Sequence, residues 1–169
     1  MTLYTPQHVA NFFLDRAEEE AMPLTQLKLM KLVYIAYGWS LAITGEPLFS
    51  EPVQAWKLGP VIPSIYHEFK HFGSNAIDSR AQSFDWETGK VTTPRILDTD
   101  ETTLKILALV WSTYKKFSAT ALVRKTHEDG TPWAEFYKEG ERSVIIEPDK
   151  IGSHYKARLN EYIAAAKAA

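Results

Sequence analysis

The stretch His67-Glu68-Phe69-Lys70-His71 matches H-E-x-x-H. On a helix this spacing sets two imidazoles on one face, where they can hold zinc beside a glutamate general base, the arrangement of metal-assisted hydrolysis. His67 and His71 would be the ligands and Glu68 the base. Three features oppose that chemistry. The apolar residues of the same segment, Ile62, Ile65, Tyr66, Phe69 and Phe72, recur at helical spacing and centre opposite both histidines, which turns the imidazoles away from the core. Lys70 fills one of the inner positions of the motif. No third ligand is persuasive, because Gly73 stands one place too early for the extended zinc motif and Glu101 is explained by a helix start. The plainer reading is a solvated helix face, with a zinc-dependent hydrolase as the enzymatic alternative.

Other chemistry finds less support. The chain has no cysteine, which excludes a disulfide framework, a thiol nucleophile, cysteine-based zinc sites and iron–sulfur clusters. There is no G-x-S-x-G elbow, no phosphate-binding or dinucleotide glycine pattern and no D-x-D-x-D-G calcium loop. His127 falls at a predicted helix end, where a dipole contact or a hydrogen bond explains it without catalysis. Lys28 and Lys31 read as solvated. The tryptophans read mostly as core, but Trp56, in an irregular segment, suits a partner anchor equally well. No cofactor is expected.

The elements that position these residues are mainly helical. Thr5-Pro6 opens a first amphipathic helix through Val9, Phe12, Phe13 and Ala17, which runs into Glu18-Glu19-Glu20, read as a solvated end. Thr25 caps a second helix whose residues from Leu27 to Leu41 are apolar in nearly every direction and which Gly45 stops, so this helix belongs in the middle of the fold. Val53 to Lys57 reads as a short strand entering a Gly59-Pro60 turn, and Pro63 opens the third helix. Between Ser74 and Thr99 lies a long polar segment holding a small hairpin, Phe84-Asp85-Trp86 against Lys90-Val91-Thr92. Asp98 with Glu101 marks a helix through Tyr114, Ser118 caps one through His127, Pro132 opens a short one and Pro148 the last. The expectation is a mainly α single domain over 1–169, with six to seven helices around a central buried helix and a small hairpin or short strands. Its core spans roughly 5–163, and the Ala-rich tail frays.

Composition narrows the class. The chain has 169 residues, 19 basic and 21 acidic, and 45% hydrophobic, which suits one globular domain able to fold without staples. A net charge of −2 offers no field for a phosphate backbone, which argues against a nucleic-acid partner and against a repressor of its own operon. The N-terminus lacks the basic region of a secretory signal, and Leu24 to Ile43 carries too many polar interruptions for a membrane span. The cytoplasm is the expected location.

Three blocks taken together carry more. They are Leu27 to Trp39, which holds Lys31 and Tyr34; Ala55 to Tyr66, with Trp56 followed by Gly59-Pro60-Val61; and Ala121-Leu122-Val123 with Thr126-His127 and then Pro132-Trp133. They resemble the Panacea domain family, which takes in SocA-like and phage-associated GepA-like proteins, and the likeness runs roughly from Thr5 to Tyr155. The resemblance implies an antitoxin of a bacterial or prophage toxin–antitoxin system. It implies as partner a cognate toxin encoded by an adjacent gene, neutralised by direct binding, by a chaperone-like role or by delivery to a cytosolic AAA+ protease. It also places the His-Glu-Phe-Lys-His stretch where the family pattern asks for helix and not for metal ligands. Exposed polar and aromatic groups beside irregular chain make Trp56, Lys57, Gly59, Pro60, His67 and His71 the expected partner-binding set.

Overall fold

A helix that is apolar on every face is stable only when other elements surround it. The computed structural model describes residues 4–169, so the first three residues of the N-terminal stretch read above lie outside it. In it, α2 (Gln26–Thr44) runs through the centre, with Leu29 to Ser40 buried without a break. Thr25 caps its start by accepting from the Lys28 N–H, and Gly45 ends it in the left-handed region at φ 78°. Around it pack α1 (Pro6–Glu19), α3 (Pro63–Phe69), α4 (Glu101–Tyr114), α5 (Ala119–His127) and α7 (Pro148–Ala168). The short α6 (Pro132–Phe136) joins α5 to the last strand. With seven α-helices and only small antiparallel strand pairs among the described residues, the fold is mainly α, as expected.

The crossing of α7 over α2 depends on one small residue. A Cβ at Gly38 would lie 2.2 Å from the Tyr155 ring, so only glycine lets that ring sit on the helix backbone. Tyr155 then meets Tyr34 and Trp39 edge-on, at centroid distances of 6.1 and 5.4 Å. Beyond this crossing α7 continues unbroken through the Ala-rich stretch to Ala168, with residues 160–169 exposed.

Two hairpins interrupt the helices. In the first, β1 (Val53–Trp56) pairs antiparallel with β2 (Gly59–Val61), Trp56 opposite Gly59, which leaves Lys57-Leu58 as a two-residue loop. The expected turn at Gly59-Pro60 is therefore corrected by two residues: both lie within β2, and an edge strand tolerates a proline that cannot donate. The distant β5 (Ile145–Ile146) adds to the other side of β1, completing the order β2-β1-β5. The second hairpin pairs β3 (Ser83–Asp85) with β4 (Lys90–Thr92), as expected except that its first strand lies one residue earlier and Trp86 falls in the connection.

The long 74–99 segment is fastened down. Buried Asn11 on α1 donates to the Ala81 and Pro94 carbonyls and accepts from the Ala81 N–H, each at 2.9 Å. Asp15, one turn on, takes Arg80 at 2.7 Å and Arg95 at 2.8 Å, and these cations hold its carboxyl below the usual range against the opposing effect of burial. Two local readings change. The cap of α4 is Asp100, which accepts from the Thr103 N–H at 3.0 Å, and not Asp98. Glu20 is not merely a solvated helix end, since it accepts from Trp111 Nε1 at 2.9 Å and pairs with Lys115 at 2.6 Å.

Candidate functional site

Lys31 departs furthest from its expected place. Read as solvated, it is instead fully buried, because the hairpin and α5 cover that side of α2. Its Nζ donates to the Pro60 carbonyl at 3.0 Å, and no carboxylate pairs with it among the described residues. Burial without a counter-charge penalises the ammonium and pushes its pKa down to about 7. Gly59 makes room for it. At φ 112° the residue suits glycine, and a Cβ there would fall 2.6 Å from Lys31 Nζ and 3.0 Å from Thr126 Oγ1.

The second half of the support comes from α5 and α6. Thr126, buried, donates to the Val123 carbonyl at 2.8 Å. The His127 ring stacks on Trp133 with centroids 3.7 Å apart and planes 4° from parallel, and Trp133 stacks in turn on Tyr137 at 4.6 Å. Trp133 Nε1 donates to the Trp56 carbonyl at 2.7 Å, tying α6 to the end of β1. His127 Nε2 is buried without a hydrogen-bond partner. Burial first, and then the nearby charge of Lys31, lower the pKa of this imidazole, while its contact with the Leu58 backbone acts the other way. His127 is thus a packing residue whose ring carries a tryptophan.

This scaffold presents a cleft of about 590 Å³ between the start of α2, the first hairpin and α3. Leu27, Met30, Leu58 and Val61 give it apolar walls, and Trp56 and Tyr66 meet edge to face at 4.9 Å on one side. Trp56 is half-buried, with its Nε1 donating to Gln54 Oε1 at 2.9 Å, while the loop residues Lys57 and Leu58 are exposed. The guanidinium of Arg142, from the segment before β5, lies over the Trp56 ring 5.0 Å from its centroid.

The expected partner-binding residues therefore divide. Trp56 and Lys57 line the cleft; Gly59 and Pro60 are buried beneath the loop they shape. His67 and His71 are both exposed and outside the cleft lining. The helix carrying His67 ends at Phe69, and His71 lies in the 3-10 turn that follows over Lys70–Phe72, so the two histidines do not sit on one regular α-helix. Among the described residues no three His, Cys, Asp or Glu side chains gather where they could hold a metal ion. Leu58, Tyr66 and Arg142 were not singled out for the site from sequence. Arg142 carried no local signal, since only the return of the chain through β5 brings it to Trp56.

Most of the residues that resembled a family motif gather at or under this cleft. Lys31, Trp56 and Val61 line the cleft, and Gly59, Pro60, Thr126, His127 and Trp133 support its hairpin, while Tyr34 and Pro132 lie with Thr126 along a separate small cavity next to Tyr155. No helix among the described residues is long and apolar enough to cross a membrane. No solved structure matches the chain. Antitoxin SocA of Caulobacter vibrioides (strain NA1000 / CB15N) is 38% identical over 128 residues, covering 74% of this chain and 66% of that protein, so the chain spans just under two-thirds of its relative's length. The family model described as "Antitoxin SocA-like, Panacea domain" matches residues 29–134, an interval that contains all ten motif residues; by that match the chain belongs to the SocA-like Panacea family.

Proposed function

We propose that this chain is an antitoxin that neutralises a cognate protein toxin by binding it directly in the cleft between α2, the first hairpin and α3. The observation that carries this reading is the use to which the motif residues are put. They build a rigid support under an apolar cleft with a half-buried tryptophan on its wall, and anchors of this kind dominate protein interfaces. Trp56, Leu58 and Lys57 touch the toxin in this reading. Gly59 and Pro60 act through the shape of the loop, and His67 on α3 and His71 in the turn after it extend the contact. The chain acts as one domain, with the hairpin and α7 as parts of the same unit. Neutralisation works by covering the toxin's working surface and needs no turnover.

The test is co-expression with the product of the adjacent gene, scoring growth and co-purification. The expected result is growth rescue with a stable complex, lost in a Trp56→Ala/Leu58→Asp variant that still folds. Rescue accompanied by toxin depletion that depends on a cytosolic AAA+ protease would replace coverage with delivery. Failure of the wild-type chain to rescue or bind would remove the antitoxin reading.

A further inference from the structure

Apart from Tyr66, the ionisable residues that line the cleft are all basic. Its exposed charged lining residues are Lys57 and Arg142, with buried Lys31 beneath them and no carboxylate in the lining, although the whole chain has 21 acidic side chains against 19 basic. Elsewhere acids lie among the cations: Asp15 pairs with Arg80 and Arg95, Glu20 with Lys115 and Glu135 with Lys150. Among the described residues, neither Lys57 nor Arg142 takes part in an ion pair. The guanidinium of Arg142 rests over the Trp56 ring, which occupies its face and leaves its N–H fork for a planar acceptor such as a carboxylate. Between these cations and the floor, 590 Å³ of apolar-walled space has room for about three or four mid-sized side chains. A phosphate backbone would need a row of cations and no such greasy floor.

We propose that the occupant of the cleft is an acidic amphipathic segment of the partner, whose apolar side chains fill the space between Leu27, Met30 and Val61 and whose carboxylates pair with Arg142 over Trp56 and with Lys57 at the hairpin loop. This rests on the antitoxin reading of the same cleft and adds the chemistry of what enters it. Because Arg142 lies beyond the interval 29–134 that the family model matches, half of the charge requirement comes from outside the shared motif region. Partner choice by this chain therefore draws on a residue that the motif does not contain.

The experiment uses the full chain and the product of the adjacent gene, with affinity measured at two ionic strengths. Lys57→Glu/Arg142→Glu reverses two exposed charges, its fold checked by circular dichroism and a melting temperature within a few degrees of wild type, and Lys90→Glu/Lys116→Glu makes the same change in net charge away from the cleft. The expected result is at least a hundredfold loss of affinity for the first pair, less than a threefold change for the second, and loss of most of the salt dependence in the first alone. Overlapping 15-residue peptides spanning the partner should bind wild-type protein where apolar and acidic residues alternate at helical spacing. A Lys57→Glu/Arg142→Glu protein that binds as the wild type does and still rescues growth would overturn the acidic-segment proposal and leave the antitoxin reading standing. Wild-type protein that neither binds nor rescues would overturn both.

Discussion

The two hairpins of this chain look alike in sequence and differ in almost everything else. Each is a pair of short strands around a tight connection, with a tryptophan beside it. In the first, Val53, Ala55, Gly59, Pro60 and Val61 are buried, one carbonyl is held by Lys31 and another by Trp133. In the second, Phe84 and Val91 are exposed and Trp86 is 88% exposed, stacked edge-on against Phe84 alone at 4.6 Å. An isolated two-stranded hairpin is marginal in water, so the contacts made to other elements decide which of the two is rigid. The difference teaches that the tryptophan and the turn are not the informative features; the buried polar groups under the first hairpin are.

The sharpest way to break the comparison is to fill each hairpin's glycine. Gly59→Ala should cost about 3–4 kcal/mol, combining a strained positive φ with a collision on Lys31 and Thr126. Gly89→Ala, at φ 69° with open space around it, should cost about 1 kcal/mol, and urea unfolding measures both. Equal losses would show that backbone strain alone, and not the packing under β2, separates the two positions.

Lys31 offers the next largest effect. The folded state pushes its pKa down to about 7, so above that pH the folded chain lacks a proton that the unfolded chain keeps until about 10.4. Stability should therefore rise with pH across this window, by up to about 1.4 kcal/mol per unit relative to Lys31→Met. From pH 7 to 9 the gap between wild type and Lys31→Met should shift by about 2 kcal/mol in favour of wild type. Parallel pH profiles would mean that the amine is ionised in a site with more water than its burial implies.

A smaller change sharpens the role of α6. Trp133→Phe keeps an aromatic ring against His127 but removes the hydrogen bond to the Trp56 carbonyl, for an expected loss of about 1 kcal/mol and a weaker hold on the cleft wall. At the bottom of the scale, Trp86→Ala should move stability by no more than about 0.5 kcal/mol in either direction. A loss as large as that at Gly59 would contradict the exposed placement of the second hairpin.

What the sequence determined by itself was periodic and local. The all-round apolar run from Leu27 to Leu41 could only be a central helix, Thr25 and Gly45 fixed its ends, and prolines at 63, 132 and 148 opened helices where the structure has them. Caps and hydrophobic period act within a few residues, so they are legible in one dimension. The motif residues were legible too, as a pattern spread over a hundred positions, but not what they build. Lys31 looks like any helix-surface lysine until β2 and α5 close over it, and Gly59 like a turn glycine until Lys31 Nζ stands where its Cβ would be. The position of Arg142 above Trp56 was decided later still, by a strand that returns to β1 from the far end of the chain. These are contacts between segments far apart in sequence, and their energies come from burial and from satisfying buried polar groups, which only the packed tertiary structure sets.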